Sequence, residues 1–336
     1  MRRELAGLIT CPHCGGPLVL RAEPPGDEAV SGTLVCSCGR AYPIRNTIPR
    51  FITAPAGRTA RSFGMEWRTF LIARDQEDEA VFRAKTGLAP EELRGKRVLD
   101  AGCGGGRYAR IAARWGAQVF AVDLSEAVES ARDLCRGLPV HVLQADLRRL
   151  PFPQRFFDVI FSIGVLHHTP DTREHMRALT RHLALGGTFS LWLYKRWRPA
   201  LEAVNSAQRA FTKRLPLPVM LRLAEILEPV GRAKVALSQS RSPLVRRLGV
   251  LANVLTIGVS MHPVRAQRVC DTFDWYSPEY QSHHTDEEVR LWLVEEGFGD
   301  IRNLSERSGY SFHPGQGEGV NLKATLSARP ASSGAR

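Results

Sequence analysis

Short, nearly continuous apolar runs recur through the middle of the chain, with helix-length segments between them. Because these runs are short and apolar on both faces, they predict strands of a parallel sheet that helices cover on both sides. The runs are residues 98–99, 119–122, 140–143, 159–161 and 189–193, followed by a closing pair at 301–304 and 320–326. The predicted fold class is therefore α/β, with a mostly parallel seven-stranded sheet.

Capping residues mark the predicted helices between these runs. Two pairs of residues have the spacing of a capping box, in which side chains satisfy the first backbone amides of a helix. The pairs are Asp171 with Glu174 and Thr285 with Glu288. We expect Gly186 and Gly187 to end the first helix and Gly297 to end the second, because glycine is favoured just beyond a helix C-terminus.

The segment from 195 to 282 interrupts the alternation of strands and helices. It is punctuated by prolines, and its apolar residues fall at helical spacing among arginines and lysines, which predicts an inserted basic helical cap. Within it, residues 248–264 lack charges but contain polar residues and a proline, and they are short for a bilayer crossing. We therefore expect a buried helix there.

These patterns divide the chain into six predicted parts. A cysteine-rich ribbon (1–56) and a helical linker or lid (57–95) precede the main α/β core (96–194). The basic cap (195–282) is followed by a C-terminal helix with the closing strands (283–328) and by a tail (329–336) whose Ser- and Ala-rich composition predicts disorder.

The first predicted core strand runs into a glycine-rich turn. Its pattern is Asp-x-Gly-x-Gly-x-Gly, from Asp100 to Gly106. Glycine lets a ligand approach the backbone closely. A dinucleotide-binding fingerprint needs a small residue where Arg107 stands, so the pattern does not indicate a pyrophosphate site. The leading carboxylate instead suits a cationic ligand that carries an amino-acid group.

Two further carboxylates follow the next two predicted strands. Asp123 stands at the tip of the second strand, where an acid can accept hydrogen bonds from ribose hydroxyls, and Asp146 follows the third. Either residue alone is explained as a helix N-cap. Three acids at three successive strand ends favour a nucleoside-containing cofactor.

The motifs together resemble those of class I S-adenosylmethionine-dependent methyltransferases, in the subgroup that includes the menaquinone and ubiquinone enzymes. Residues 157–160, 164–171 and 185–187 continue the resemblance in the same order. It implies a Rossmann-like fold, S-adenosylmethionine as cofactor and methyl transfer, while the scaffold accepts very diverse substrates.

The resemblance also implies a set of cofactor-binding residues. The turn would hold the methionine end, the acid after the second strand the ribose, and the residues after the third strand the adenine. The residues for the methionine end are Asp100, Gly102 and Gly104, the residue for the ribose is Asp123, and those for the adenine are Asp146 and Leu147. Ser162 would line the pocket, and Cys103 and Leu124 would be their neighbours in the site.

Four cysteines near the N-terminus predict a metal site. Cys11 and Cys14 meet Cys36 and Cys38 if the intervening residues form a hairpin, and four thiolates satisfy a tetrahedral structural zinc ion. Zinc would supply folding free energy that so small a module lacks. The second pair has one intervening residue where two are usual, which leaves His13 as an alternative ligand.

The cysteine segment carries a resemblance of its own. Together with residues 42–44 and 48–51, it resembles the zinc ribbon of the small partner subunit that activates some tRNA and protein methyltransferases. The resemblance implies that such a ribbon is fused here to the enzyme.

Composition limits the class of protein. A chain of 336 residues suffices for a main domain with smaller modules. Seven cysteines, unevenly placed, do not suit a secreted disulfide scaffold, so we expect a cytoplasmic protein. We find neither a signal-peptide pattern nor an apolar run of membrane-spanning length.

The net charge of +12 is concentrated in the cap. Residues 195–260 contain twelve basic residues and three acidic ones. This excess suits an anionic substrate, an anionic membrane surface in peripheral contact, or nucleic acid, and it equally suits a solvated helical face. The oligomeric state is left open.

Two histidines are the candidate catalytic residues. His167 and His168 follow the fourth strand, at the edge where ligands bind in open α/β sheets, and either can act as a general base. The alternative is that they only shape the cofactor loop. A polar and aromatic cluster at 274–281 is a candidate wall of the acceptor pocket or a surface turn.

Three functions remain open at this point. The first is methyl transfer to a small-molecule or lipid- or sugar-linked acceptor, which a large cap would enclose. The second is an RNA methyltransferase, favoured by the ribbon and the basic segment, although no aromatic-rich RNA-binding module is visible. The third is a non-catalytic cofactor-binding scaffold, against which the intact motif set argues.

Overall fold

Eleven strands form two sheets in the computed structural model, which describes residues 1–22, 26–52, 57–70, 75–305 and 319–327. The N-terminal antiparallel sheet consists of β1 (Leu18–Arg21), β2 (Gly32–Cys36), β3 (Ala41–Arg45) and β4 (Ile48–Pro49). The large sheet consists of β5 (Arg97–Ala101), β6 (Gln118–Asp123), β7 (Val140–Gln144), β8 (Phe157–Ile163), β9 (Leu183–Leu193), β10 (Phe298–Asn303) and β11 (Val320–Leu326).

The large sheet has the order β10-β11-β9-β8-β5-β6-β7. Strands β5 to β9 are parallel, and β11 lies antiparallel between β9 and β10. Because β5 pairs with β6 on one side and β8 on the other, the strand order reverses at β5. Ligands bind outside the carboxyl ends of the strands at such a point. The predicted Rossmann-like fold class is confirmed.

Buried residues on both faces explain the continuous apolar runs of these strands. Leu99 and Phe120 belong to one apolar cluster, and Val98 and Val119 to another, and all four are fully buried. Successive side chains of a strand point to opposite faces, so both faces of this sheet must be covered.

In the described residues, eleven α-helices surround the sheet and form the cap. In chain order they are α1 (Arg58–Thr69), α2 (Asp75–Thr86), α3 (Pro90–Leu93), α4 (Arg107–Arg114), α5 (Ala127–Leu134), α6 (Thr172–Thr180), α7 (Pro199–Thr212), α8 (Leu217–Ser238), α9 (Pro243–Leu255), α10 (Arg265–Tyr276) and α11 (Asp286–Glu295). Asp171 caps α6 by accepting from the Glu174 amide, and Thr285 with Glu288 forms the predicted capping box of α11.

The predicted end of α6 at Gly186 and Gly187 is wrong. The helix ends at Thr180, and the two glycines lie inside β9. The β8–β9 register shifts there, and a Cβ on Gly187 would lie 2.8 Å from the carbonyl oxygen of Ala184. The glycine pair therefore allows an irregularity in a strand. A pair of glycines in the sequence is equally typical of a helix end.

The cap also differs from one prediction. Residues 248–264 do not form a buried helix, because α9 ends at Leu255 and presents large apolar side chains to solvent. No helix of the described part of the chain is both long and apolar enough to span a membrane. The six-part division of the chain stays a prediction, and the tail at 329–336 lies outside the described residues.

The N-terminal sheet packs against the edge strand β7. The Phe51 amide donates to the Gln144 carbonyl oxygen (2.7 Å). The Arg50 guanidinium contacts the Gln144 side chain (2.6 Å), the carboxylate of Glu129 on α5 and that of Glu126 just before this helix. Apolar residues of both modules form one continuous cluster. The ribbon thus shares a hydrophobic core with the large sheet.

Candidate functional site

The glycine-rich turn after β5 is shaped by close contacts that exclude side chains. Gly102 and Gly104 have positive φ angles of +87° and +50°. A Cβ on Gly102 would lie 2.4 Å from Val165, and one on Gly104 would lie 2.7 Å from the Trp67 indole. Both positions therefore require glycine, for backbone conformation and for space.

Two acids lie at this turn. Asp123, at the end of β6, accepts hydrogen bonds from the Gly104 amide (2.9 Å) and from the amide and hydroxyl of Ser125 (2.8 and 2.6 Å). Asp100 is buried, and one of its carboxylate oxygens has no hydrogen-bond partner among the described residues. Burial and the nearby charge of Asp123 raise the pKa of Asp100 well above its usual range. Paired acids on a glycine cradle fit a cationic ligand with hydroxyl donors.

A cavity of about 370 Å³ opens beside this turn. It lies between the carboxyl ends of β5, β6, β8 and β9 on one side and residues of α1, α2 and α10 on the other. Of the predicted cofactor residues, Gly102, Cys103, Gly104 and Asp123 line it. A volume of this size matches pockets that enclose small organic ligands.

The other predicted cofactor residues do not line this cavity. Leu124 is partly exposed, Leu147 is buried, and Ser162 donates to the Ala101 carbonyl oxygen (2.9 Å). Asp146 is engaged by Arg148, at 2.7 Å between side chains. Burial alone would raise the pKa of Asp146, but the Arg148 hydrogen bonds lower it.

The side of the cavity opposite the strands, formed by α1, α2 and α10, carries two carboxylates. The sequence analysis did not identify Glu66, and it included Asp274 only within the cluster at 274–281. Glu66 on α1 is buried, accepts from the Cys270 thiol (3.3 Å) and has a second oxygen without a partner among the described residues. Asp274 on α10 accepts from the Tyr194 hydroxyl (3.2 Å), and its other oxygen is likewise unpartnered. Burial, with the charge of Asp271, raises the pKa of Asp274 to about 7.

Aromatic rings surround these acids. The Trp275 ring stacks on Tyr194, with centroids 4.8 Å apart, and on Trp197, at 5.3 Å. Lys85 lies over the Trp192 ring, with the ammonium 3.7 Å from the centroid. Burial, with the charge of Arg107, lowers the pKa of Lys85 to about 8. Of the predicted cluster at 274–281, Asp274 and Trp275 lie in the cavity wall.

The assignment of the two histidines as general bases stays a prediction. His167 and His168 are buried and do not line the cavity; His167 stacks on Tyr194, with ring centroids 3.8 Å apart. Burial lowers the pKa of His168 to about 3, and burial with the charge of His168 lowers that of His167 well below its usual value. Such imidazoles are weak proton acceptors at neutral pH. His168 instead lies 3.7 Å from the Asp274 carboxylate.

The four N-terminal cysteines come together as predicted. The Sγ atoms of Cys11, Cys14, Cys36 and Cys38 all lie within 4.8 Å of one another, with Cys11–Cys38 at 3.8 Å and Cys14–Cys36 at 3.5 Å. A tetrahedral zinc ion with Zn–S bonds of about 2.3 Å places its sulfurs about 3.8 Å apart. The thiols therefore fit structural zinc despite the short Cys36–Cys38 spacing, and exposed His13 is not among the metal-ligating groups found in the described residues.

The reversed strand order, the glycine cradle with its acids and the closing antiparallel strands are the arrangement that the resemblance to S-adenosylmethionine-dependent methyltransferases implies. Residues 99–191 match the family model described as a methyltransferase domain, and residues 2–46 match that of Trm112p-like proteins. The two matches cover separate parts of the chain, and they confirm the two resemblances inferred from its motifs.

Curated relatives match part of the chain. A tRNA U34 carboxymethyltransferase of Alcanivorax borkumensis is 29% identical over 43% of this chain and 57% of its own length. A ubiquinone biosynthesis O-methyltransferase of Proteus mirabilis is 38% identical over 28% of this chain and 40% of its own. The chain thus spans about half the length of these relatives.

A solved S-adenosylmethionine-dependent methyltransferase from Mesorhizobium loti is 19% identical, over 73% of this chain and 95% of that one. Its TM-score of 0.42 is too low to bear on function.

Proposed function

We propose that the protein transfers a methyl group from S-adenosylmethionine to a small-molecule or lipid- or sugar-linked acceptor. The observation that carries this proposal is the cavity, in which the glycine cradle and Asp123 face the acids and rings of α1 and α10. Such a cavity brings a cofactor and a small acceptor together away from water, and methyl transfer depends on alignment and exclusion of water. A cytoplasmic location remains part of this proposal.

Within this proposal, the chain's residues have distinct tasks. S-adenosylmethionine supplies the methyl group on a cationic sulfur. The turn at Gly102 and Gly104, with Asp100 beneath it, binds the amino-acid end, and Asp123 binds the ribose. Asp146 and Leu147 remain candidates for the adenine end, and Leu124 and Ser162 remain candidates in the site. The cap-side rings position the acceptor.

Asp274 is the group best placed to take the acceptor's proton. Its side chain lines the cavity, Tyr194 donates to its Oδ2 atom, and its Oδ1 atom has no hydrogen-bond partner among the described residues and lies 3.7 Å from His168 Nε2. A base works best when its pKa lies near the working pH, and the pKa of Asp274 is raised to about 7. We assign His168 to positioning this carboxylate.

The experiment that tests the proposal is transfer of a radiolabelled methyl group. The purified chain is incubated with labelled S-adenosylmethionine and with separate lipid, small-metabolite and tRNA fractions of the source cells. We expect label in the lipid or small-metabolite fraction. Label confined to tRNA would favour the RNA alternative, and no label in any fraction would favour the cofactor-binding scaffold.

Replacing Asp123 tests the cofactor site without knowledge of the acceptor. We expect Asp123→Ala to weaken binding of S-adenosylhomocysteine by about 1–3 kcal/mol, because hydrogen bonds to the ribose are lost. Isothermal titration calorimetry measures the change. Asp133→Ala, which removes an exposed acid from the same region, is the matched control and should leave the affinity unchanged. Equal affinity of Asp123→Ala and wild type would remove Asp123 from the site.

The RNA alternative is favoured by one observation, the match to a tRNA-modifying relative. If the acceptor is small, RNA should bind weakly and without sequence preference, and the affinity should fall steeply with salt. Filter binding of tRNA and of random RNA measures this. A strongly preferred tRNA at physiological salt, lost on replacing Arg246 and Arg247, would overturn the small-molecule proposal.

A further inference from the structure

Helix α9 carries an exposed apolar stripe on the cap. Four leucines follow each other at spacings of four, three and four residues, which places them on one face of the helix. They are Leu244, Leu248, Leu251 and Leu255. Their exposed fractions lie between 53% and 68%. The helix packs on α8 through Gly249, where a Cβ would lie 3.1 Å from Leu237. The leucine stripe is therefore free of the protein core.

Cations accompany the leucine stripe and lack acidic partners. Helix α9 contains no acidic residue, and Arg241, Arg246 and Arg247 are exposed at its start. In the described parts of the chain, none of the three forms an ion pair with a carboxylate, and Arg246 donates only to backbone carbonyl oxygens. At 100° per residue, Arg247 lies about 70° from the centre of the leucine stripe and Arg246 lies on the far side of the helix, so uncompensated positive charge flanks the apolar side chains.

The combination of exposed leucines and exposed arginines on α9 favours one class of binding partner over the others. A second copy of the same surface would bring like charges together, which is unfavourable. RNA would engage the arginines, but a row of leucines offers no stacking or hydrogen bonding to bases. An anionic bilayer satisfies both features, since leucines enter the boundary between headgroups and acyl chains while arginines contact the anionic headgroups.

The leucine stripe is also connected to the cavity. The chain leaves α9 at Leu255, and Gly258, Val259 and Ser260 already line the cavity wall. Gly258 packs so closely on Trp275 that a Cβ there would lie 2.0 Å from the indole. A surface that binds the stripe is thus one short segment away from the acceptor side of the cavity.

We propose that the α9 leucine stripe, with Arg241, Arg246 and Arg247, docks on an anionic lipid bilayer and that the acceptor is a lipid-linked molecule drawn from it. The second part rests on the proposed function. The first part does not, because docking requires no catalysis. The cap then acts both as the cover of the cavity and as the membrane-contacting surface.

Vesicle cosedimentation of the full chain tests the docking. Vesicles of phosphatidylglycerol with phosphatidylcholine are compared with vesicles of phosphatidylcholine alone. We expect binding to the anionic vesicles to weaken about thirtyfold when Arg246 and Arg247 are replaced by glutamine. Each basic residue near such a surface contributes roughly 1 kcal/mol of binding free energy. The Leu248→Gln, Leu251→Gln double variant should lose about tenfold or more at any salt concentration, because apolar insertion is lost.

The matched control is Leu291→Gln, which removes an equally exposed leucine (56%) from α11. It should bind vesicles as wild type does. All variants must retain wild-type affinity for S-adenosylhomocysteine, which separates loss of docking from loss of fold. A chain that docks but transfers no methyl group would contradict the proposed function alone.

Three outcomes overturn the docking proposal. The first is equal binding to neutral and anionic vesicles, or no binding to either. The second is a dimer in sedimentation equilibrium that the Leu248→Gln, Leu251→Gln variant converts to monomer, which makes the stripe a contact between copies. The third is binding of tRNA, but not of vesicles, that depends on Arg246 and Arg247.

Discussion

Asp274→Asn should lower methyl transfer to the accepting fraction by about 10²–10⁴-fold, the usual contribution of a positioned general base. The amide is nearly the same size as the carboxylate and still accepts from Tyr194, but it cannot take up a proton. Because Asp274 lies on the acceptor side of the cavity, the affinity for S-adenosylhomocysteine should stay unchanged. The loss should therefore appear in kcat more than in cofactor binding.

The pH dependence gives an independent test of the same residue. A carboxyl group with its pKa raised to about 7 is protonated and inactive below that pH and is an active base above it. The single-turnover rate of the wild type should therefore rise through pH 7 and level off, and the Asp274→Asn variant should lose this rise.

Asp271→Asn is the matched control for this prediction. Asp271 lies on the same helix and also lines the cavity, but both its oxygens already accept hydrogen bonds, from Ser260 (2.9 Å) and Gln267 (2.6 Å). Because the charge of Asp271 helps to raise the pKa of Asp274, its replacement should move the rise of the rate to lower pH while leaving the plateau rate above pH 7 nearly unchanged. Equal losses in both variants, or a wild-type rate in Asp274→Asn, would show that Asp274 is not the base.

The sequence predicted the glycine-turn side of the cavity better than the side formed by α1, α2 and α10, for a physical reason. The glycine turn and Asp123 are fixed by one strand-turn-helix unit and the next strand, so their signals are local in the chain. Glu66 and Lys85 come from two helices that precede β5, and Asp274 comes from α10, far along the chain. No spacing rule connects such residues, and only the packed fold shows that they face one cavity.

Two errors of prediction share a cause. The apolar run in α9 has the composition of a buried helix. The glycine pair in β9 is typical of the end of a helix. The spacing of apolar residues indicates that a helix has an apolar face, but it does not indicate what covers that face. A glycine indicates an unusual backbone conformation, but it does not indicate whether a helix or a strand requires that conformation. Only the arrangement in space separates these alternatives.

Loss of one zinc ligand should have the largest effect on stability. We expect about one zinc ion per chain in the wild type and almost none in Cys38→Ser, because a structural site needs all four thiolates. Elemental analysis after dialysis against a chelator measures the metal. Cys135→Ser is the matched control, since this buried thiol lies apart from the four ligands and, among the described residues, donates to the Gly106 carbonyl oxygen.

The consequence for the rest of the chain follows from the shared core. Because the ribbon and the large sheet bury apolar residues in one cluster, the metal-free Cys38→Ser variant should melt earlier than Cys135→Ser. The glycine turn and Asp123 are held by contacts within the α/β core, so S-adenosylhomocysteine affinity at low temperature should persist. Full zinc content in Cys38→Ser would rule out the four-thiolate site. Loss of cofactor binding together with the metal would instead show that the ribbon, through Arg50 and its contacts to β7 and α5, supports the cofactor-binding edge of the sheet.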